Sequence, residues 1–114
     1  MSKWIGVDFD GTVAVTRYPV IVELIPHARY IRKWRKAGHK VSLWTCREGD
    51  ALQMALDFCL NEGIIFDSVN ENLPERVQEY HTNPRKLGCD YFIDDKVPIP
   101  IAEQWVALNK ILGG

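Results

Sequence analysis

Residues 4–12, Trp-Ile-Gly-Val-Asp-Phe-Asp-Gly-Thr, constrain this chain more than any other stretch. Ile5, Val7 and Phe9 suit a buried strand. The run stops on two carboxylates, Asp8 and Asp10, with Gly11 and Thr12 behind them. In an open α/β sheet, ligands bind outside the carboxyl ends of the strands. Two acids placed there repel each other unless something positive lies between them. Mg²⁺ takes one or two carboxylates together with waters and phosphate oxygens, so it is the natural candidate. Gly11 permits a tight turn and the close approach of a ligand. Thr12 adds a hydroxyl and a backbone N–H at the same point. Asp-x-Asp-Gly is also a good turn sequence; the strand before it and the pattern of the rest of the chain favour a site.

That pattern is an alternation. Residues 3–8 read as the first strand. Val13–Ile25, with Pro19 among β-branched residues, reads as a small hairpin or flap. Pro26 suits the first turn of a helix that carries Tyr30, Ile31 and Trp34 on its apolar side and ends at Gly38. Its basic residues read as a solvated face whose last turn suits the helix dipole. Val41–Trp44 is a second strand, ending on Thr45. Asp50 is placed to cap the next helix, whose stripe is Leu52, Ala55, Leu56 and Cys59. A third strand is expected from Ile64 to about Val69, a short helix over residues 75–80, and a fourth strand over Tyr91–Ile93 ending on Asp94 and Asp95. A last helix begins near Pro100, with Ile101, Trp105, Leu108 and Leu112 on one side. Alternation of this kind implies a mainly parallel sheet with helices on both faces, in one domain spanning residues 1–114. In such a sheet Asp8, Thr45, Asp94 and Asp95 share one edge.

Composition excludes several functions. The formal net charge of −1 gives no electrostatic case for nucleic acid or membrane binding. No apolar run approaches the roughly 20 residues of a membrane span, and no leader is visible ahead of the first strand. The three cysteines, Cys46, Cys59 and Cys89, show no metal or disulfide spacing. A reduced, cytoplasmic protein is expected.

The acids at the shared edge point to phosphoryl chemistry. Asp8 is the candidate nucleophile, since a carboxylate attacking phosphorus gives an aspartyl-phosphate. Asp10 is placed to protonate the leaving oxygen and then activate water. Asp94 completes a metal site with Asp8 and the backbone carbonyl of Asp10, while Asp95 either binds the metal through water or positions Lys86. Lys86 and the metal offset charge on the phosphoryl oxygens. The Thr45 hydroxyl and the N–H groups after Asp8 hold those oxygens.

Asp8-Phe9-Asp10-Gly11-Thr12 resembles the first motif of the haloacid dehalogenase (HAD) superfamily. Leu43-Trp44-Thr45 resembles its second motif, Lys86 its third and Ile93-Asp94-Asp95 its fourth, in the same order over residues 4–95. The resemblance implies a Rossmann-like three-layer sandwich and an Mg²⁺-dependent phosphatase, with Asp8 as nucleophile, Asp10 as acid and base, Thr45 and Lys86 on the phosphoryl group, and Asp94 on the metal. The second acid, Asp10, favours phosphate esters over carbon–halogen bonds. Neither Val13–Ile25 nor Asn70–Arg85 is long enough for a cap domain, so the chain resembles the small capless members. Arg85 adjoins Lys86, and either is able to turn inward.

Around this core, Arg47 is placed to grip a substrate phosphate or carboxylate, or else to pair with Glu48 or Asp50. Cys46 reads as a small residue beside the site. Asn70 and Asn72 read as turn formers, with substrate contact the lesser reading. The expected substrate is a phosphorylated small molecule or macromolecule. Without a cap, either a large substrate closes the site, or a second subunit of a homo-oligomer covers it near Tyr18–Val22, or nothing closes it. The rival function is a phosphate-binding or receiver-like module without turnover.

Overall fold

The computed structural model describes residues 2–113. The apolar run forms strand β1 (Trp4–Val7), buried along its whole length. A hairpin follows, β2 (Ala14–Arg17) and β3 (Val20–Leu24), paired antiparallel with an irregularity at Val15/Thr16. Pro26–Arg29 is a single 3₁₀ turn leading into α1 (Tyr30–Lys36). Next come β4 (Lys40–Leu43), α2 (Gly49–Asn61), β5 (Ser68–Val69), α3 (Pro74–Tyr80), β6 (Tyr91–Ile93) and α4 (Ile101–Ile111). The expected hairpin, the Pro26 start, the short helix near residue 75 and the helix after Pro100 all form.

The sheet order is β5-β4-β1-β6, every pairing parallel. The chain therefore steps outward from β1 through β4 to β5, then returns to lay β6 on the other side of β1. This reversal is the switch point at which open α/β sheets bind ligands. One sheet face carries Ile5, Val7, Val41, Leu43 and Ile93, which form a core with Trp34 of α1, Ala55 and Cys59 of α2, and Trp105 of α4. The Trp34 and Trp105 rings stack at 5.6 Å. The opposite face carries Trp4 with Leu73 and Leu87, a smaller cluster at α3 and the loop after it.

Two expectations are corrected. The third strand is only Ser68–Val69, because Asp67 takes over the start of the ladder. Its carboxylate accepts the Val41 N–H (2.8 Å) and a two-pronged contact from Arg35, while its own N–H donates to the Val41 carbonyl (2.7 Å). Ile64 is buried as expected, without strand pairing. Asp50 is not the cap: α2 begins at Gly49 after an extended Glu48, and Asp50 lies inside the first turn, where its charge suits the helix dipole.

Candidate functional site

Strand pairing carries Asp8 to the switch point. Its N–H donates to the Ile93 carbonyl at 3.0 Å, extending the β1–β6 ladder by one residue. Asp8 and Asp94 thus leave neighbouring strands side by side. Carboxylate oxygens of Asp8, Asp94 and Asp95 all lie within 4.8 Å of one another, with Asp8 and Asp94 half-buried and Asp95 exposed. Crowding of this kind favours the neutral acid. The Asp8 carboxyl is pushed up to about 7, first by burial, then by the Asp94 charge and by Asp95; the Phe9 N–H acts in the opposite sense.

The turn after Asp8 holds this cluster together. Gly11 adopts φ +78°, and a Cβ there would lie 2.6 Å from Asp95 Oδ2, so both the backbone and the neighbouring acid require glycine. The wholly buried Thr12 hydroxyl donates to Asp8 Oδ2 (3.3 Å) and accepts the Asp95 N–H (3.1 Å). The Thr12 carbonyl takes the Trp105 indole N–H at 3.1 Å. The N–H groups of Gly11 and Thr12 bond to Ala14 and Phe9 carbonyls (2.9 and 3.1 Å). Gly11 and Thr12 thus clamp the turn through these groups. On the other strand, Gln104 of α4 accepts the Asp94 N–H (3.1 Å) and donates to the Asp94 carbonyl (3.0 Å). Sequence reasoning missed Gln104, which looks like any polar residue beside an apolar stripe.

Asp10 faces elsewhere. Its carboxylate receives a forked contact from Arg47, Nε to Oδ2 at 2.9 Å and Nη2 to Oδ1 at 2.8 Å, and a third bond from the Thr16 hydroxyl at 2.8 Å. The Arg47 bonds come first among the causes that hold its carboxyl below the usual carboxylate range. The Asp10 side chain is outside the three-acid cluster. Its backbone carbonyl, the expected ligand atom, receives no donor among the described residues.

Arg47 is the largest departure from expectation. Its side chain has no exposure at all, and it pairs with neither Glu48 nor Asp50 and does not project to a ligand. Beyond Asp10, its Nη1 donates to the Pro19 and Ala51 carbonyls (3.1 and 3.0 Å). Its guanidinium lies 5.0 Å from the ring centres of both Phe9 and Tyr18. One guanidinium thus ties the hairpin tip, the turn after β1 and the start of α2.

Thr45 is half-buried at the end of β4. Its N–H is held by Asn70 Oδ1 (2.8 Å) and its Oγ1 accepts the Arg47 N–H (3.1 Å), which leaves the hydroxyl proton to give. Cys46 is exposed. Lys86 is not brought to the carboxylates: it is exposed and lines a pocket with Trp4 and Arg76 on the α3 face. Arg85 is also exposed. Asn72 is a loop staple, bonded to Asn83, Pro84 and Gly88.

No protein-family model matches the chain, and no curated protein matches it. Among solved structures, the conserved protein coded by a locus of Bacteroides thetaiotaomicron is similar throughout, with a TM-score of 0.81 and 36% identity over 97% of this chain and 93% of that one. The two chains belong to one family. Their likeness extends over the parallel sheet and the helices around it. Among the described residues no helix is long and apolar enough to cross a membrane.

Proposed function

We propose that the chain is an Mg²⁺-dependent phosphomonoesterase of the haloacid dehalogenase type, with the capless Rossmann-like architecture of its smallest members. One observation carries this reading: the carboxylates of Asp8, Asp94 and Asp95 converge within 4.8 Å at the point where the strand order reverses. The donors are all hard oxygens, they belong to two adjacent strand ends, and the Asp10 carbonyl receives no donor among the described residues. That set fits Mg²⁺, which keeps waters and phosphate oxygens as further ligands. When bound, the cation offsets charge on Asp8 and on the phosphoryl oxygens.

The chain's own residues then act as follows. An Asp8 carboxylate oxygen attacks phosphorus, and the bond from phosphorus to the ester oxygen breaks. The Thr45 hydroxyl donates to a phosphoryl oxygen. In the second step water attacks the aspartyl-phosphate, its proton passes to Asp10, and the bond between Asp8 and phosphorus breaks to release phosphate. Asp10 is ionised between Arg47 and Thr16, so it holds no proton before this second step, and accepting one requires that a carboxylate oxygen leave Arg47. To protonate an alkoxide in the first step it must be protonated and freed from Arg47. Aryl phosphates, whose leaving groups need no proton, are therefore the favoured test substrates.

The locking of Asp10 and the position of Lys86 favour a second reading, a phosphate-binding or receiver-like module that holds phosphate on Asp8 without turnover. Incubation with p-nitrophenyl phosphate and Mg²⁺ separates the two. Continuous release of phosphate, abolished by chelator, supports the esterase. A single stoichiometric phosphate trapped on Asp8 supports the module. Neither release nor trapping would sink both.

A further inference from the structure

We propose that the pocket on the α3 face of the sheet binds a small organic anion built on a single ring, and that Lys86 serves this pocket. The reading stands apart from the proposed esterase: none of Asp8, Asp10, Thr45, Asp94 or Asp95 lines the pocket. Its volume is ≈ 160 Å³. A cavity of about 150 Å³ is enough to take benzene, so the space suits one six-membered ring.

Charge decides what the ring must carry. Arg76 and Lys86 both line the pocket, and neither forms an ion pair among the described residues. Every other wall group is neutral, and Trp4, Tyr80 and Pro84 are the apolar side chains among them. Two unmatched cations over an apolar floor match an anion with an apolar body, the guanidinium being suited to a carboxylate.

The pocket is also preformed, as binding sites usually are. Trp4 is fixed from below, its indole N–H donating to Ser42 Oγ at 2.8 Å, and Arg76 lies 5.5 Å from the centre of its ring. The wall that bears Lys86 is held by the buried Asn72. Its Nδ2 donates to the Pro84 carbonyl (2.9 Å) and to Asn83 Oδ1 (3.2 Å), and its Oδ1 accepts the Gly88 N–H (2.9 Å). A buried amide that uses both ends to shape one loop gives that loop a fixed outline before any ligand arrives. Gly88 adds the last element: it lines the pocket, and a Cβ there would lie against the Trp4 ring at 3.4 Å, so a larger side chain takes up room beside that ring.

The test titrates benzoate into the ¹⁵N-labelled full chain, with benzyl alcohol as the neutral counterpart. Saturable shifts of the Trp4 indole N–H and the Gly88 amide are expected with benzoate, with affinity for the alcohol weaker by about tenfold or more. Arg76→Gln and Lys86→Gln should each weaken benzoate by about tenfold. Gly88→Leu should abolish binding with both cations in place, and Asp8→Asn should leave it unchanged. Lys86 is exposed, so that variant tests the idea even where another fails to fold. Shifts confined to the Asp8 and Asp94 end of the sheet, equal binding of benzoate and alcohol, insensitivity to both charge variants, or no saturable shift would each overturn the proposal.

Discussion

Replacing Asp10 by Asn should destabilise the protein before it alters any chemistry. Arg47 is a cation with no solvent exposure, and Asp10 is its only counter-charge among the described residues. Removing one partner of a buried pair costs about 3–5 kcal/mol. Asp10 is itself 32% exposed, so water takes up part of the loss. The asparagine oxygen also keeps one of the two bonds. About 2–3 kcal/mol is the resulting expectation for Asp10→Asn. Arg47→Met removes the charge but strands the Pro19 and Ala51 carbonyls that Arg47 now satisfies, at about 1–3 kcal/mol for each acceptor left dry. The two losses should not add. In the double variant the stranded cation no longer exists, so the coupling should return about 2 kcal/mol.

Urea unfolding followed by tryptophan fluorescence measures all four species. Asp10→Asn should lower the melting temperature by roughly 8–12 °C, at about 4 °C per kcal/mol for a chain of this length. Additivity of the two single changes within about 0.5 kcal/mol would refute the claim that Arg47 is held chiefly by Asp10.

Three further outcomes are expected. Without cation, stability should fall as pH rises from about 4 to 8, because Asp8 binds its proton more tightly folded (about 7) than unfolded (3.8); unscreened this is about 4 kcal/mol, and about 1–2 after allowance for its partial exposure. Asp8→Asn should flatten that slope and abolish turnover, and Mg²⁺ at pH 8 should restore the stability of the parent; an unchanged slope in Asp8→Asn, followed by scanning calorimetry, would be fatal to this account. Along a leaving-group series, Asp10→Asn should slow alkyl phosphates more than aryl phosphates, and equal losses would remove Asp10 from the proton path. Gly11→Ala, with its Cβ 2.6 Å from Asp95 Oδ2 at φ +78°, should cost about 1–2 kcal/mol and weaken Mg²⁺ binding measured by calorimetry; unaltered affinity would place Asp95 outside the cation site.

Much of the architecture was legible because it is local. The apolar run at residues 4–7, the β-branched hairpin around Pro19 and the stripe on α4 each announce themselves by period and by breakers. The convergence of Asp8, Asp94 and Asp95 was legible for the same reason, since parallel strands deliver their ends to one edge. What was not legible depends on partners far apart in sequence. Arg47 and Asp10 are separated by 37 positions, and nothing near Arg47 shows that it turns inward; its acidic neighbours Glu48 and Asp50 were the only partners in view. Asp67 shortens the third strand through Arg35 and Val41, again a tertiary matter. Lys86 fits a motif by order, yet its loop is shaped by Asn72, whose bonds with Asn83, Pro84 and Gly88 no pattern of spacing reveals.

The distribution of charge around the switch point carries the functional argument one step further. Four acids lie in the segments that leave β1 and β6. The buried guanidinium nearby pairs with Asp10, the acid outside the cluster, and gives its remaining donor to the Pro19 and Ala51 carbonyls. Asp8, Asp94 and Asp95 have no ion-pair partner among the described residues. A fold selected for stability alone would gain by exchanging one of these three for an amide, or by turning Arg47 toward them. Instead Thr12, Gln104 and Gly11 hold the three carboxylates together against their mutual repulsion, by bonds to Asp8, Asp94 and the Asp95 backbone and by the space left for its side chain. Local rules broken in this way mark sites where function outweighs stability. Without an ion, a proton on Asp8 relieves part of the repulsion; because no side chain among the described residues pairs with the three acids, an external cation, and not another side chain, is the partner proposed for Asp8.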